Sequence, residues 1–305
     1  MTAVLRPPAP QATAAPAAHP PGVPVTTTTQ PTQPAPRTRT PVPARLEVLD
    51  ASLGYGRRPL SAHLDVRIPD QSFTVVIGPN ACGKSTLLRA MSRLLRPSAG
   101  EVVLDGRSIA RYGSKEVART LGLLPQTSLA PDGITVADLV ARGRHPHQKL
   151  MRQWTEEDEK AVRDAMAATS VTELSGRPVD ELSGGQRQRV WVAMVLAQRT
   201  PILLLDEPTT FLDIAHQIDL MELFTDLHRA GHTLVAVLHD LNHAARYATH
   251  LIAMRDGRVV AEGPPEEVVT AALVAEVFDL PCRVVPDPVT GTPMVVPLAR
   301  QREAR

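Results

Sequence analysis

Cysteine is scarce in this sequence of 305 residues: Cys82 and Cys282 are the only two, which excludes a scaffold held together by disulfide bonds and fits a reducing cytosol. No apolar run approaches the roughly 18 to 20 uninterrupted residues that a membrane-spanning helix requires. Residues 1–25 lack the apolar centre of a secretory signal. We therefore expect a chain that is neither exported nor inserted in a membrane.

A strong charge of either sign is also missing, since the chain has 33 Lys and Arg against 32 Asp and Glu. Residues 1–45 hold four of the basic residues and no acidic ones, which leaves 29 basic and 32 acidic residues in the rest. This mildly acidic remainder provides no stripe of Lys and Arg for a polyphosphate backbone. We expect no nucleic-acid partner.

Proline is concentrated at the start of the chain, where residues 1–45 contain 12 of the 29 prolines among Ala, Thr and Gln. Large apolar side chains are too few there to offset the entropy cost of ordering the backbone, so we predict a disordered tail over residues 1–45. Two alternatives have less support. A docking ligand would need a clear PxxP cluster flanked by specific charges, which this segment lacks. A plastid transit peptide would fit the Thr and Arg content, but it would not contain so much proline.

From Leu46 onward, short apolar runs alternate with helical stretches, as in α/β proteins. Three continuous apolar runs are typical of strands buried on both faces: residues 73–77, 202–205 and 234–238. Asp105-Gly106 and Asp256-Gly257 each separate two strand-like runs and favour hairpins with type I′ turns. These patterns predict a mixed sheet.

Between about residues 134 and 182 the pattern becomes helical. Thr135 and Thr155 have the properties of N-caps, and acidic residues at 156–158 suit the first turn of a helix. We expect a helical insertion at about residues 127–182 within a domain of residues 46–290. Residues 291–305 would form a C-terminal extension.

The strongest local motif, GPNACGKS at residues 78–85, matches GxxxxGK[ST] between the apolar run at 73–77 and an apolar helix predicted at 86–95. Its glycines allow backbone N–H groups to surround phosphate oxygens, Lys84 can neutralise the β and γ phosphates, and the Ser85 hydroxyl can ligate Mg²⁺. The predicted nucleotide-binding residues of this loop are Gly78, Pro79, Asn80, Ala81, Cys82, Gly83, Lys84, Ser85 and Thr86.

Two acidic residues end the apolar run at 202–205. Asp206 can hold Mg²⁺ through water, and Glu207 can polarise an attacking water. Adjacent acids at a strand end are common as surface residues, but beside a phosphate-binding loop they favour catalysis.

The sequence LSGGQ at residues 182–186 precedes an apolar helix. Ser183 and Gln186 form a capping box at its start. Gly184 and Gly185 each weaken the first turn by about 1 kcal/mol relative to Ala, and this cost suggests that a phosphate approaches the bare backbone.

In their order along the chain, the three motifs resemble those of the nucleotide-binding subunit of ATP-binding cassette (ABC) transporters, over about residues 46–290. The resemblance implies that Tyr55 faces adenine, Gln126 approaches Mg²⁺ and the attacking water, Asp213 ends the D-loop, and His239 contacts the γ-phosphate. Each residue alone has an ordinary structural explanation. Seven motifs in the family's order outweigh those explanations together.

The resemblance implies an α/β P-loop NTPase fold of the ABC type, with a mixed sheet core, an antiparallel β subdomain and a helical subdomain. It also implies a head-to-tail dimer in which Ser183 and Gly185 of one copy complete the ATP site of the other. Membrane permease subunits would dock on the helical insertion and link the chain to a substrate-binding protein. These partners would place the chain at the cytoplasmic face of the cell membrane.

Three segments resemble the importer branch for ferric siderophores, haem and cobalamin: RGRHPH at residues 142–147, TTFLDIAHQ at 209–217 and DPVTGTP at 287–293. Phe211 replaces a smaller residue common in other branches of the family. His145 and His147 could suggest an iron site, but two histidines in a basic loop are more often solvated. A soluble cassette acting on ribosomes or DNA is disfavoured because a second cassette and a heptad run are missing. An exporter subunit is disfavoured by the 287–293 segment.

Overall fold

The computed structural model describes residues 44–56, 58–126, 130–148 and 154–298. The strands are β1 (Ala44–Tyr55), β2 (Arg58–Pro69), β3 (Phe73–Ile77), β4 (Ala99–Leu104), β5 (Arg107–Ser108), β6 (Leu121–Leu124), β7 (Ile202–Asp206), β8 (Thr233–Val237), β9 (His250–Arg255), β10 (Arg258–Gly263), β11 (Cys282–Pro286) and β12 (Pro293–Pro297). The helices are α1 (Lys84–Met91), α2 (Ser114–Thr120), α3 (Val136–Ala141), α4 (Glu156–Ala168), α5 (Gly184–Ala197), α6 (Ile214–Arg229), α7 (Leu241–Tyr247), α8 (Pro265–Val268) and α9 (Ala271–Phe278). None of these helices is long and apolar enough to cross a bilayer.

A six-stranded mixed sheet with the order β10-β9-β3-β8-β7-β6 forms the centre of the fold. Strands β9, β3, β8, β7 and β6 run parallel, and β10 pairs antiparallel with β9. Side chains of β8 alternate between two hydrophobic clusters, with Leu234 and Ala236 in one and Val235 and Val237 in the other. Burial on both faces explains the continuous apolar runs, and the predicted mixed sheet is confirmed.

A second, antiparallel sheet has the order β2-β1-β4-β5. Its Asp105-Gly106 turn has φ values of 48° and 73°, and the Asp256-Gly257 turn between β9 and β10 has values of 50° and 74°. Positive φ at both central residues is the mark of a type I′ turn, so both predicted hairpins are confirmed.

A β-bulge in β2 changes which side chains reach the interior. Ala51 of β1 pairs with Leu64, and Leu53 pairs with Ser61, so β2 contains one extra residue opposite this stretch. His63 lies within that stretch at a φ of 53°. The bulge reverses the alternation, so Ser61 is buried and Leu60 is exposed.

Helices α3 and α4 lie within the region predicted as the helical insertion. Thr135 and Thr155 cap them, accepting hydrogen bonds from the backbone N–H groups of Asp138 and Asp158, as the sequence predicts. The backbone enters and leaves this region side by side, because the N–H of Val179 donates to the carbonyl of Ile134 at 2.9 Å.

Part of the RGRHPH segment packs in the interior of the helical region. Gly143 lies so close to α5 that an added Cβ would collide with the carbonyl oxygen of Met194. The buried Arg144 guanidinium donates to the Asp158 carboxylate at 2.8 Å and to the carbonyl of Ala197 at 2.9 Å. Part of this branch-typical sequence therefore joins α3, α4 and α5.

The boundaries of several predicted elements need correction. The predicted tail lies outside the described residues except for Ala44 and Arg45, which belong to β1. The helix predicted at residues 86–95 is α1, which starts at Lys84 and ends at Met91, followed by Arg93 at a φ of 64°.

The expected boundary at residue 290 lies in the turn of a hairpin. Strand β12 pairs antiparallel with β11, so the described part of the predicted extension belongs to this hairpin. In the turn, the Asp287 carboxylate accepts hydrogen bonds from the N–H groups of Val289 and Thr290 at 2.7 and 3.0 Å. The DPVTGTP segment thus has a local structural explanation, because Asp and Gly favour such a turn.

Candidate active site

A cavity of about 560 Å³ lies at the carboxyl ends of the parallel strands. The residues that line it follow β3, β6, β7 and β8, together with one residue of β2: Leu60, Asn80, Ala81, Gly83, Lys84, Ser85, Thr86, Gln126, Glu207 and His239. Parallel strands end at the same edge of a sheet, so motifs far apart in the sequence meet there. The structure thus brings together most of the predicted catalytic and phosphate-binding residues.

The loop between β3 and α1 needs glycine at two positions. Gly78 has a φ of 152°, and an added Cβ would collide with the carbonyl oxygen of Met254. Gly83, at a φ of 106°, immediately precedes α1. Both conformations are accessible to glycine without steric cost, and they allow the loop to curl before the helix begins.

Lys84 occupies the interior of this loop. Its side chain is buried, and Nζ donates to the carbonyl oxygens of Gly78 and Pro79, each at 2.8 Å. The ammonium group is therefore held by the loop that leads into the start of α1. A cation and unsatisfied N–H groups at a helix start form an arrangement suited to phosphate.

Cys82 is buried in the same loop rather than facing the cavity. Its Sγ would lie 2.8 Å from a Cβ at Gly78, so the thiol fills the space that the glycine leaves. Burial raises the pKa of the Cys82 thiol, which disfavours the reactive thiolate. The side chain acts here as a small packing group.

Ser85 and Asp206 form a set of oxygen ligands suited to Mg²⁺. The Ser85 hydroxyl donates to Asp206 Oδ1 at 2.8 Å, and Gln126 lines the same cavity. Burial raises the pKa of the Asp206 carboxyl, the Ser85 hydrogen bond opposes that rise, and the charge of Glu207 adds to it. A divalent cation would offset the cost of burying this carboxylate, and hydroxyl, carboxylate and amide oxygens are the ligands that Mg²⁺ prefers.

Glu207 and His239 lie in direct contact at the edge of the cavity. His239 Nε2 is 2.7 Å from Glu207 Oε1, and the Glu207 side chain is 13% exposed. Glu207 has a φ of 54°, an uncommon conformation for a residue with a side chain. The backbone therefore turns sharply after Asp206, and one carboxylate meets Ser85 while the next faces the cavity.

Several predicted site residues lie outside the cavity lining, among them Tyr55, Ser183, Gln186 and Asp213. Tyr55 is 50% exposed, and its hydroxyl accepts a hydrogen bond from Arg89 at 2.8 Å. Ser183 and Gln186 form the predicted capping box, with both hydrogen bonds at 3.2 Å. Asp213 caps α6 by accepting from the N–H of His216 at 2.9 Å.

The glycines of the 182–186 segment also have a packing role. An added Cβ at Gly184 would lie 3.3 Å from Cβ of Phe211, and one at Gly185 would lie 3.3 Å from a methyl group of Leu212. Gln188 donates to the carbonyl of Pro208 at 3.0 Å. The start of α5 is thus packed against the loop before α6, within the same chain.

An iron site at His145 and His147, which the sequence disfavours, gains no support from the described residues, where no group of three or more His, Cys, Asp and Glu side chains could hold a metal ion. His147 Nε2 instead lies 2.8 Å from the carbonyl oxygen of Gln198. This contact attaches the loop to the end of α5.

Comparison with known proteins identifies the family of this chain. The family model for ABC transporters matches residues 62–210. The chain is 59% identical over 258 residues to the ferric enterobactin transport ATP-binding protein FepC of Escherichia coli (strain K12), covering 84% of this chain and 95% of that protein. The chain belongs to the ABC transporter family.

Other members of the family show the same relationship. A probable siderophore transport ATP-binding protein of Bacillus subtilis (strain 168) is 52% identical, covering 82% of this chain and 92% of that protein. The hemin import ATP-binding protein of Streptomyces coelicolor is 43% identical, with coverage of 82% and 90%.

The solved structures of ABC proteins agree with this fold. A metal-chelate type ABC transporter in an inward-facing conformation matches with a TM-score of 0.71 and 26% identity, covering 84% of this chain and 98% of that chain. A dimeric cassette in a post-hydrolysis state, bound to ADP and Pi, matches with a TM-score of 0.64 and 27% identity, covering 72% and 98%. The predicted ABC-type P-loop fold is confirmed.

The sequence motifs do not indicate two residues that lie in or near the candidate active site. Leu60 lines the cavity because of the bulge in β2, and no local sequence pattern predicts this bulge. Arg89 holds the Tyr55 hydroxyl from α1. A helical arginine has no motif of its own, so this contact depends on how β1 packs against α1.

We expect Tyr55→Ala to weaken ATP binding, because stacking of a base on an aromatic ring contributes about 1 to 3 kcal/mol. This corresponds to roughly a 5- to 150-fold rise in Kd. Tyr55→Phe, which keeps the ring and loses only the hydrogen bond from Arg89, is the matched control. Competition with a fluorescent ATP analogue measures both, and equal affinities for the two variants would remove the ring from the adenine site.

Proposed function

We propose that this chain hydrolyses ATP to drive the uptake of ferric siderophores through a membrane importer. The observation that carries the proposal is the cavity at the strand ends, where a phosphate-binding loop meets the Glu207–His239 pair. Two relatives that are named as ATP-binding proteins of siderophore transport support the choice of cargo.

The groups in and around the cavity have definite roles in this proposal. Lys84 and the N–H groups at the start of α1 bind the phosphates of ATP, and Tyr55 and Leu60 lie on the β1 and β2 side of the site. Ser85, Asp206 and Gln126 would hold Mg²⁺, which supplies charge neutralisation on the phosphates. Glu207 accepts the proton of the attacking water, and His239 orients Glu207 and contacts the γ-phosphate.

A second copy of the chain would complete the site. Ser183 and Gly184 are exposed and do not line the cavity of their own chain. Phe211, which packs beside Gly184, and the nearby residue Ile214 in the chain are 76% and 78% exposed, and two large apolar side chains so exposed suit a protein partner. A head-to-tail dimer would bring Ser183, Gly185 and Asp213 of one copy to the ATP of the other.

The membrane partners in this proposal are permease subunits at the cytoplasmic face of the membrane, linked to a substrate-binding protein. They would dock on the helical region, because Gln126 connects the nucleotide cavity to the start of that region along the chain. ATP binding would favour the closed dimer, and hydrolysis would return it to the open form.

The test is reconstitution in liposomes with the permease encoded beside this chain and its binding protein, followed by measurement of phosphate release. We expect ferric siderophores to stimulate hydrolysis and apo-siderophores to have no effect. A second candidate cargo is hemin, on the strength of the hemin import relative at 43% identity. Stimulation by hemin or cobalamin, with no response to any ferric chelate, would overturn the siderophore assignment and keep the ATPase assignment.

A further inference from the structure

The β11–β12 hairpin is attached to the helix that follows His239. In α7, the Asn242 side chain pairs with the backbone of Val295 in β12. The N–H of Val295 donates to Asn242 Oδ1 at 2.7 Å, and Asn242 Nδ2 donates to the carbonyl of Val295 at 3.4 Å. A primary amide that pairs with both polar groups of one residue imitates a strand neighbour, so its orientation is well defined.

The hairpin is a firm anchor for this contact. Val295 and Cys282 are 5% and 8% exposed and belong to the same hydrophobic cluster as Ala244 and Ala245 of α7. The turn is closed by hydrogen bonds to Asp287, whose pKa is lowered by the N–H donors of Thr290 and Val289. One face of the hairpin is thus packed on α7, and its turn is held by its own hydrogen bonds.

The link from α7 to the cavity is short. Only Leu238, His239 and Asp240 separate the end of β8 from the start of α7. Asp240 caps α7, since its Oδ1 accepts from the N–H groups of Asn242 and His243 at 2.7 and 2.9 Å. Asn242 is therefore held at its backbone by the neighbour of His239 and at its side chain by the hairpin.

We propose that Asn242 is a positioning residue for His239, which it holds against Glu207 by tying α7 to β12. This inference rests on the proposed role of His239 in ATP hydrolysis. Asn242 does not line the cavity, so its effect passes through α7 and Asp240. A rotation of α7 would change the 2.7 Å contact between His239 Nε2 and Glu207 Oε1 while leaving the phosphate-binding loop in place.

The first test is steady-state ATP hydrolysis by the full chain with the variant Asn242→Ala. We expect kcat to fall about tenfold, because small displacements of catalytic groups have large effects on rate, and we expect KM for ATP to stay the same. Asn242→Asp keeps the acceptor for the Val295 N–H, so its loss should be smaller; it also serves if Asn242→Ala does not fold. Arg246→Ala, exposed on the same helix, is the matched control with unchanged kcat.

The second test combines Asn242→Ala with His239→Ala. If Asn242 acts through His239, the double variant should have the same kcat as His239→Ala alone. A kcat that falls equally with and without His239 would overturn the proposal, as would an unchanged kcat in Asn242→Ala when His239→Ala is slow. Full activity of His239→Ala would overturn the proposed role of His239 itself, and the inference with it.

Discussion

Glu207→Gln is expected to abolish ATP hydrolysis while leaving ATP binding intact. The amide has nearly the same shape as the carboxylate, so the contact with His239 and the lining of the cavity persist. It cannot accept a proton, and general-base catalysis contributes roughly 10²- to 10⁴-fold to such reactions. We therefore expect kcat to fall by about 10³-fold with an unchanged Kd for ATP.

Phosphate release in a single turnover and competition with a fluorescent nucleotide measure the two quantities separately. Glu173→Gln, at an exposed position in the helical region, is the matched control and should hydrolyse ATP at the normal rate. An unchanged turnover in Glu207→Gln would remove this residue from the role of base. Because ATP would no longer be consumed, the variant should also accumulate as a dimer in gel filtration with MgATP, and a monomer there would contradict the proposed dimer.

Asp158→Ala is expected to lower the free energy of unfolding by about 3 to 5 kcal/mol, the usual result of removing one partner of a buried ion pair. The Arg144 and Asp158 side chains are 3% and 9% exposed, and Arg144 would be left buried without its carboxylate. The same carboxylate accepts from the N–H and hydroxyl of Thr155, so the side-chain half of the capping box of α4 is lost as well. Urea unfolding followed by circular dichroism measures the change.

Two variants separate the buried charge from a general effect of removing an aspartate. Asp164→Ala removes an exposed carboxylate that pairs with Lys160 and Arg199, and it should change stability little. Arg144→Met with Asp158→Asn removes both charges and keeps an acceptor for the cap. This double variant should be more stable than Asp158→Ala. If all three variants had the same free energy of unfolding, loss of the buried ion pair would not be the cause of the destabilisation in Asp158→Ala.

The Arg144–Asp158 pair also makes the stability of the fold depend on pH, in a direction that follows from the pKa of Asp158. Burial alone would raise the pKa of Asp158, but hydrogen bonds from Thr155 and Arg144 outweigh it, and the pKa lies below its ordinary value. The stabilisation from this carboxylate is therefore complete above the unfolded pKa of about 3.9 and is lost as the pH falls towards the lower, folded value. Asp158→Ala should lose less stability than the parent chain in that acidic range.

Most of the candidate site could be predicted because each motif depends on its nearest neighbours. Gly78 and Gly83 adopt positive φ values that suit glycine, and Ser183 and Gln186 are spaced to cap one helix. The approach of Gly184 to Phe211 was not predictable in the same way. This contact joins two segments that are separated in sequence. From the sequence alone, the approach of a phosphate was the explanation offered for a glycine at this position.

The sequence by itself determined the phosphate-binding loop, the two type I′ turns, the caps of α3, α4 and α5, and the doubly buried strands. The loop, the turns and the caps depend on backbone conformation and hydrogen bonds within a few residues, so the residue types record them directly. A strand buried on both faces needs apolar residues at successive positions, and this run is also visible in the sequence. Only the tertiary structure decided the exposure of Leu60, the burial of Arg144 against Asp158 and the attachment of Asn242 to Val295. These depend on strand register and on packing between distant segments. Many residues contribute to the free energy of such packing, so no single short sequence pattern predicts it.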